Sequence, residues 1–455
     1  MGSSSPSCFQ IYSDVVYRCT IALIGDVDSP SCISPKPIRS DRALASLLPR
    51  EKVDRLNQAL TIKWIQAEFR RYYEQAELTL PDRFTRREFG FMFYDSDLVQ
   101  RHTGFARASD LKDYLVNRTP AHVYHSAAYY ERPGAPTMEE KGWLGADLIF
   151  DLDADHIERV KGMPYEQMLE EVKQEIKKIV DQFLLGDFGL SDKSISISFS
   201  GGRGYHIHAR DPRLWPLGPH ERREIVDYIT GTDYNPEMTV RKEPYEVTKW
   251  GTKYRYAMAP ANVAGWRKRL ARGMVDAAER LEGMGREKSI EYLCSFKGID
   301  VKIAKVIYET LFRQTKGERG IDKLRDGRID IFPTDRYLNL FRQTFLQVSL
   351  DLGKRETDEP VTSDIKRLIR MVSSLHGKTG LRVVRLTRDQ LDDFMPLRDA
   401  VPATFRDDPV KMQVGKVANV TLRGETFNLS EGLTEVPEYV AVFLACRGWA
   451  TIPQV

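Results

Sequence analysis

Asp151 and Asp153 stand two apart in the run Asp147-Leu-Ile-Phe-Asp-Leu-Asp153. Leu148, Phe150 and Leu152 alternate with Asp147, Ile149, Asp151 and Asp153, the period-2 pattern of a half-buried strand. Both carboxylates therefore share a face, with Cα atoms roughly 6.5–7 Å apart. Carboxylates this close repel unless a cation sits between them or one takes up a proton. Hard divalent ions prefer oxygen donors, so Mg²⁺ or Mn²⁺ is the expected cation. An acidic edge strand facing water is the plainer alternative. In a second run, Ser194 to Arg210, Ile195, Ile197 and Phe199 alternate with Ser196, Ser198 and Ser200. The turn Gly201-Gly-Arg-Gly204 then reverses the chain into a strand that sets His206, His208 and Arg210 on one face. Glycines let backbone N–H groups approach an anion, and Arg203 adds a forked donor. The spacing is not that of a Walker A loop. A plain Gly-rich hairpin, a His-x-His metal pair and a histidine-triad hydrolase are the alternatives; Arg at position 210 counts against the last. In a third run, Asp358 to Gly380, Thr362 or Ser363 caps an expected helix over 364–372. That helix would bring Lys366, Arg367 and Arg370 within a turn, with His376 in the loop beyond. The set suits a phosphate clamp or a solvated helix face.

Together these runs resemble the catalytic (small) subunit of archaeal and eukaryotic replicative DNA primases. Phe-Asp-Leu-Asp153 resembles the family's paired-aspartate motif, Ser200-Gly-Gly-Arg-Gly-Tyr-His206 its nucleotide motif, and Arg367-Leu-Ile-Arg370 with Ser374-Leu-His-Gly-Lys-Thr-Gly380 its third block. Arg87-Glu-Phe-Gly-Phe91 with Arg101-His102 resembles an N-terminal block. The resemblance covers residue 50 to the C-terminal strands and is nearest the archaeal, methanogen-type form. It implies that Asp151, Asp153 and Asp358 bind metal and are catalytic. It further implies that Ser200, Arg203, His206, Lys366, Arg367, Arg370 and His376 hold the incoming nucleotide, and that Glu88 is a further active-site acid. The implied activity is template-directed, Mg²⁺- or Mn²⁺-dependent synthesis of short RNA primers, with DNA as a second product. The implied partners are an iron–sulfur large subunit, forming a heterodimer, a single-stranded DNA template, and NTPs or dNTPs. Many relatives carry a cysteine-rich zinc knuckle after the aspartates; residues 154–193 contain no Cys, so no zinc is expected. A primase–polymerase of end-joining or gap-filling repair is the alternative enzyme. A non-catalytic nucleic-acid scaffold is the third reading, although clustered carboxylates beside phosphates would not serve it.

The elements that must position these residues follow from pattern. Helical spacing of Leu56, Leu60, Trp64 and Phe69 predicts a helix within 41–80, ended by Pro81. Short strands are expected at 88–93 and 121–124, and an amphipathic helix at 164–186 between the aspartate strand and the hairpin, a βαβ-like unit. The fold class is α/β (α+β), with mixed sheets flanked by helices: the archaeo-eukaryotic primase fold, by the resemblance. Residues 41–265 and 346–455 are expected to form a discontinuous catalytic domain around a helical insertion, 266–345. Residues 1–40, rich in Ser, Pro and Cys, read as a disordered or non-native leader.

The 455 residues, 42% hydrophobic and 29% charged, match a globular chain of two or three subdomains. The net charge of +3 is too small to indicate a nucleic-acid partner by itself, but 266–345 carries 18 Lys/Arg against 12 Asp/Glu. The five cysteines, at 8, 19, 32, 294 and 446, form no zinc or disulfide pattern and point to a reducing compartment. With no long apolar run and no signal-like start, no membrane association is expected, and the expected location is cytoplasmic.

Overall fold

The computed structural model describes residues 50–157, 160–258, 265–315, 317–353 and 359–454. Asp54–Gln454 forms one compact unit; the other, Met1–Val53 with Val455, is described only at the start of the helix Arg50–Gln75. The expected leader, 1–40, lies outside the described residues.

Two four-stranded antiparallel sheets carry the site. In the first, the order is Leu368–Arg370, His122–Ser126, Phe89–Met92, Val99–Thr103. In the second, it is Val384–Leu386, Ile195–Phe199, Gly204–Ala209, Leu148–Asp153. Ala127, Ile149 and Ile369 form a small apolar cluster, and the His125 ring of the first sheet stacks on His208 of the second, centroids 6.1 Å apart. On their other face Leu148, Phe150 and Leu152 join the main core with Leu169, Val172 and Ile176 of the helix Tyr165–Lys178. Alternation along one strand thus assigns the leucines to the core and Ile149, Asp151 and Asp153 to the opposite face.

The mixed α and β architecture agrees with the sequence reading, with three local differences. The helix expected over 164–186 is α-helical for Tyr165–Lys178 and continues as a π-helical stretch, Ile179–Leu185. The aspartate strand and Ile195–Phe199 are parallel but not neighbours, because the return strand Gly204–Ala209 pairs antiparallel with both. The βαβ unit is therefore split. The helix expected over 364–372 is not formed: the helix is Glu359–Ser363, and Leu368–Arg370 pairs with Tyr124–Ser126 as a strand. Asp364 Oδ1 accepts from Lys366 N at 2.8 Å, a side-chain turn that stops the helix, and burial of Ile369 between the sheets favours the strand.

Arg50–Gln75 turns Thr61, Ile65, Phe69, Tyr72 and Tyr73 inward and leaves Leu56, Leu60 and Trp64 half-buried, so the inward face is displaced from the one the large apolar residues suggested. A helical block runs from Trp266–Met284 through to Asp335–Gly353, past position 345. An antiparallel ribbon, Val240–Thr248 with Gly251–Met258, precedes it. No described helix is long and apolar enough to cross a membrane.

Candidate active site

A cleft of about 1010 Å³ opens beside the aspartate strand. It brings together Asp151, Asp153, Ser200, Arg203, His206, Arg367, Arg370 and His376 from three separate stretches of chain. Ile62 and Ile65 of the first helix and Arg447–Thr451 near the C-terminus also line it.

Register places the acids. Asp151 pairs with His206 and Asp153 with Gly204 across the two strands, and His206 Nε2 lies 3.5 Å from Asp151 Oδ1. Burial holds His206 neutral, its pKa pulled down to about 3. Burial also raises the Asp153 carboxyl, opposed by the hydrogen bond it accepts from Asp155 N and by Arg203, with the charges of Asp151 and Asp155 adding smaller upward shifts. Arg203 Nε sits 3.9 Å from Asp153 Oδ1 while its other end pairs with Asp155. Two hard oxygen donors on one face, crowded by a third carboxylate, fit a divalent cation. Asp358 lies outside the described residues. The helix that starts one residue later, Glu359–Ser363, packs on the aspartate strand. Among the described residues, no group of three or more His, Cys, Asp or Glu is arranged to hold a metal ion.

The glycine turn is knitted to the third run. Ser200 Oγ accepts from Gly202 N and Gly204 N, each at 3.3 Å, so this serine organises the turn from inside. Thr379 Oγ1 donates to Gly201 O at 2.6 Å, and Tyr165 Oη donates to Gly202 O. A Cβ on Gly201 would stand 2.8 Å from the His376 Cβ, and one on Gly202 3.0 Å from its Nε2. Gly201 also has φ +77°, so glycine is required there both for conformation and for this approach. Arg370 Nη1 meets His122 Nδ1 at 2.7 Å, and its guanidinium lies over the Tyr124 ring, 5.2 Å from the centroid. The cleft thus sets paired carboxylates against Arg203, Arg367, Arg370 and Lys378.

Two of the expected residues stand elsewhere. Lys366 is exposed and contributes no side chain to the cleft wall; its carbonyl accepts from Arg101 Nη2 at 3.0 Å. Glu88 is fully buried, bonded by Arg101 at 3.1 and 3.0 Å and by His102 N at 2.9 Å, with Lys141 Nζ 3.7 Å away. Although burial opposes ionisation, these partners hold its carboxyl below the usual range. It therefore braces the turn before Arg367, through Arg101, and does not reach the cleft wall. Asp147, first acid of the run, is likewise removed from the cleft, its Oδ2 2.6 Å from Arg87 Nη2 in a buried pair.

Sequence reasoning missed His122, Tyr124, Tyr165 and Arg447, all at or beside the cleft. Arg447 stacks on Tyr165, 4.5 Å from the ring centroid. His122 and Tyr124 do fall within the short alternating run at 121–124, but nothing local in that run marks a cleft.

Fold and cleft define a class, an α+β protein whose cleft gathers paired carboxylates and cations. Within that class, the family model of the DNA primase small subunit matches residues 150–388. The DNA primase small subunit PriS of Methanothrix thermoacetophila is 42% identical over 400 residues, covering 87% of this chain and 100% of the relative. Its counterparts in Methanocella arvoryzae and Methanococcoides burtonii are 41% and 40% identical, covering 86% and 85% of this chain and 98% and 97% of their own lengths. The chain belongs to the DNA primase small subunit family.

Proposed function

We propose that this chain is the catalytic subunit of a DNA primase that builds short RNA primers on single-stranded DNA. The observation that carries this reading is the cleft itself, which Asp151 and Asp153, on one strand face, line together with Arg203, Arg370 and His376. Asp151 and Asp153, with Asp358 by family resemblance, would hold Mg²⁺ or Mn²⁺. Such ions, when bound, lower the pKa of an attacking 3′-hydroxyl and stabilise a departing pyrophosphate. The protein's own part is positional and electrostatic. Arg203 and Arg370 offer forked donors to the triphosphate oxygens, with Arg367 and Lys378 adding charge. Neutral His206 orients Asp151 without adding a competing positive charge. No side-chain nucleophile is required. Family membership favours priming over the repair alternative. A large subunit carrying an iron–sulfur cluster, a DNA template and a cytoplasmic setting belong to the same reading.

The test is synthesis on an unprimed single-stranded template, with and without the large subunit, using ribonucleotides or deoxyribonucleotides. Short products whose length stops at the first omitted complementary nucleotide are expected. Activity confined to filling gaps from an existing 3′ end would reject the priming reading.

A further inference from the structure

The ribbon Val240–Thr248/Gly251–Met258 is anchored at its root and exposed toward its tip. Met258 N donates to Gly327 O at 2.9 Å, and Arg342 lies over the Tyr256 ring at 5.4 Å, tying the root to the helical block. Toward the tip, Tyr245, Val247, Trp250 and Tyr254 are 56, 81, 87 and 50% exposed. An isolated two-stranded hairpin is marginal in water, and large exposed rings without a core partner mark a contact surface.

The chemistry of the exposed groups selects the partner. The ribbon carries Arg241, Lys242, Lys249, Lys253 and Arg255 against Glu243 and Glu246. Lys242 sits over Tyr254 at 4.8 Å and Lys249 over Trp250 at 5.1 Å, so each of two exposed rings is flanked by an ammonium. Three of these four exposed apolar side chains are aromatic, and aliphatic surface is sparse. Rings beside cations suit bases that stack and phosphates that pair; aromatic rings also occur at protein-docking faces, but lysines are depleted there, so the ammoniums beside Trp250 and Tyr254 favour a polyanion. The tip is also shaped, since Thr248 Oγ1 accepts from Trp250 N at 3.2 Å and donates to Gly251 O at 2.9 Å, fixing the turn that presents the indole.

We propose that this ribbon is an accessory platform for single-stranded nucleic acid, with Trp250 and Tyr254 stacking on bases and Lys242 and Lys249 pairing with phosphates. It rests on the primase reading only in taking the strand to be template, and it can be measured without any catalysis. The experiment uses the full-length chain and a fluorescent oligothymidylate, followed by anisotropy across a salt series. Trp250→Ala with Tyr254→Ala is expected to weaken binding about tenfold or more. Lys242→Gln with Lys249→Gln should flatten the slope of log affinity against log salt by about 1.4. An unchanged thermal midpoint in each variant shows that the fold is intact, and a duplex of equal length should bind more weakly than the single strand. Unaltered oligonucleotide affinity in the aromatic pair, or equal binding of duplex, would overturn the proposal. So would loss of binding to the purified large subunit while DNA affinity stays unchanged, which would make the ribbon a protein-docking face. If DNA binding falls as expected but no primer is ever made, the platform stands and the catalytic reading fails.

Discussion

His122 Nδ1 accepts from the Arg370 guanidinium at 2.7 Å and from Gly377 N at 3.2 Å, which places the ring proton on Nε2. The ring packs edge-on against His376, centroids 4.8 Å apart. One acceptor therefore fixes both an arginine of the cleft and the loop that carries His376 and Lys378. Burial, with Arg370 beside it, lowers its pKa to about 3, so the acceptor persists at working pH. His122→Phe should raise the nucleotide KM about tenfold with a smaller change in kcat, the loss of one charge-assisted hydrogen bond. His122→Asn, whose amide oxygen can stand near the Nδ1 position, should recover part of it. Steady-state kinetics at varied nucleotide concentration reads the split; equal KM in all three proteins would remove this positioning role. The role was not legible in the sequence because donor and acceptor lie 248 residues apart. Asp151 and Asp153 were legible because their spacing of two means one thing in a strand.

Gly204 shows why the glycine turn reads correctly at the scale of elements. A Cβ there would stand 2.3 Å from Leu152 O and 2.9 Å from Asp153 Cα, on backbone that cannot move aside cheaply. The hairpin can lie against the aspartate strand only because this position has no side chain. Gly204→Ala should cost about 1–3 kcal/mol and loosen the register that sets His206 beside Asp151. Urea unfolding would show the loss, and a midpoint equal to that of the unaltered protein would contradict it. The hairpin was legible because alternation and turn chemistry agree locally. The strand Leu368–Arg370 was not, since its conformation is decided by pairing with His122–Ser126 and by the packing of Ile369, neither of which leaves a local mark. Helical spacing of the basic residues offered a competing pattern, and tertiary burial overrode it.

Across the whole molecule, the two sheets enclose histidines that fold in neutral form. His125 is the clearest case. Burial, then Arg87 and Arg210, pull its pKa down to about 3, with His206 adding to the shift. Asp82, Asp147, His208 and Arg385 line the same small polar cavity. The unfolded chain takes up this proton near pH 6.5, so between pH 6.5 and 3 it binds more protons than the folded chain. The contribution is therefore present above pH 6.5 and is lost as pH falls toward 3. Removing the group by His125→Gln should shrink the stability lost between pH 6.5 and 5 by about 2 kcal/mol, read from urea midpoints at both pH values. An unchanged pH dependence would mean that His125 is not what makes the folded protein acid-sensitive. Catalysis at this scale depends on the cleft that both sheets line, where Asp151 and Asp153 are proposed to hold the metal for nucleotide addition. Primer synthesis by Asp151→Ala and Asp153→Ala proteins, titrated with Mg²⁺ and with Mn²⁺, measures that role. Loss of nucleotide addition at every metal concentration is expected, with a metal-free thermal midpoint equal to or above that of the unaltered protein. Primers made at the unaltered rate by either variant would contradict it.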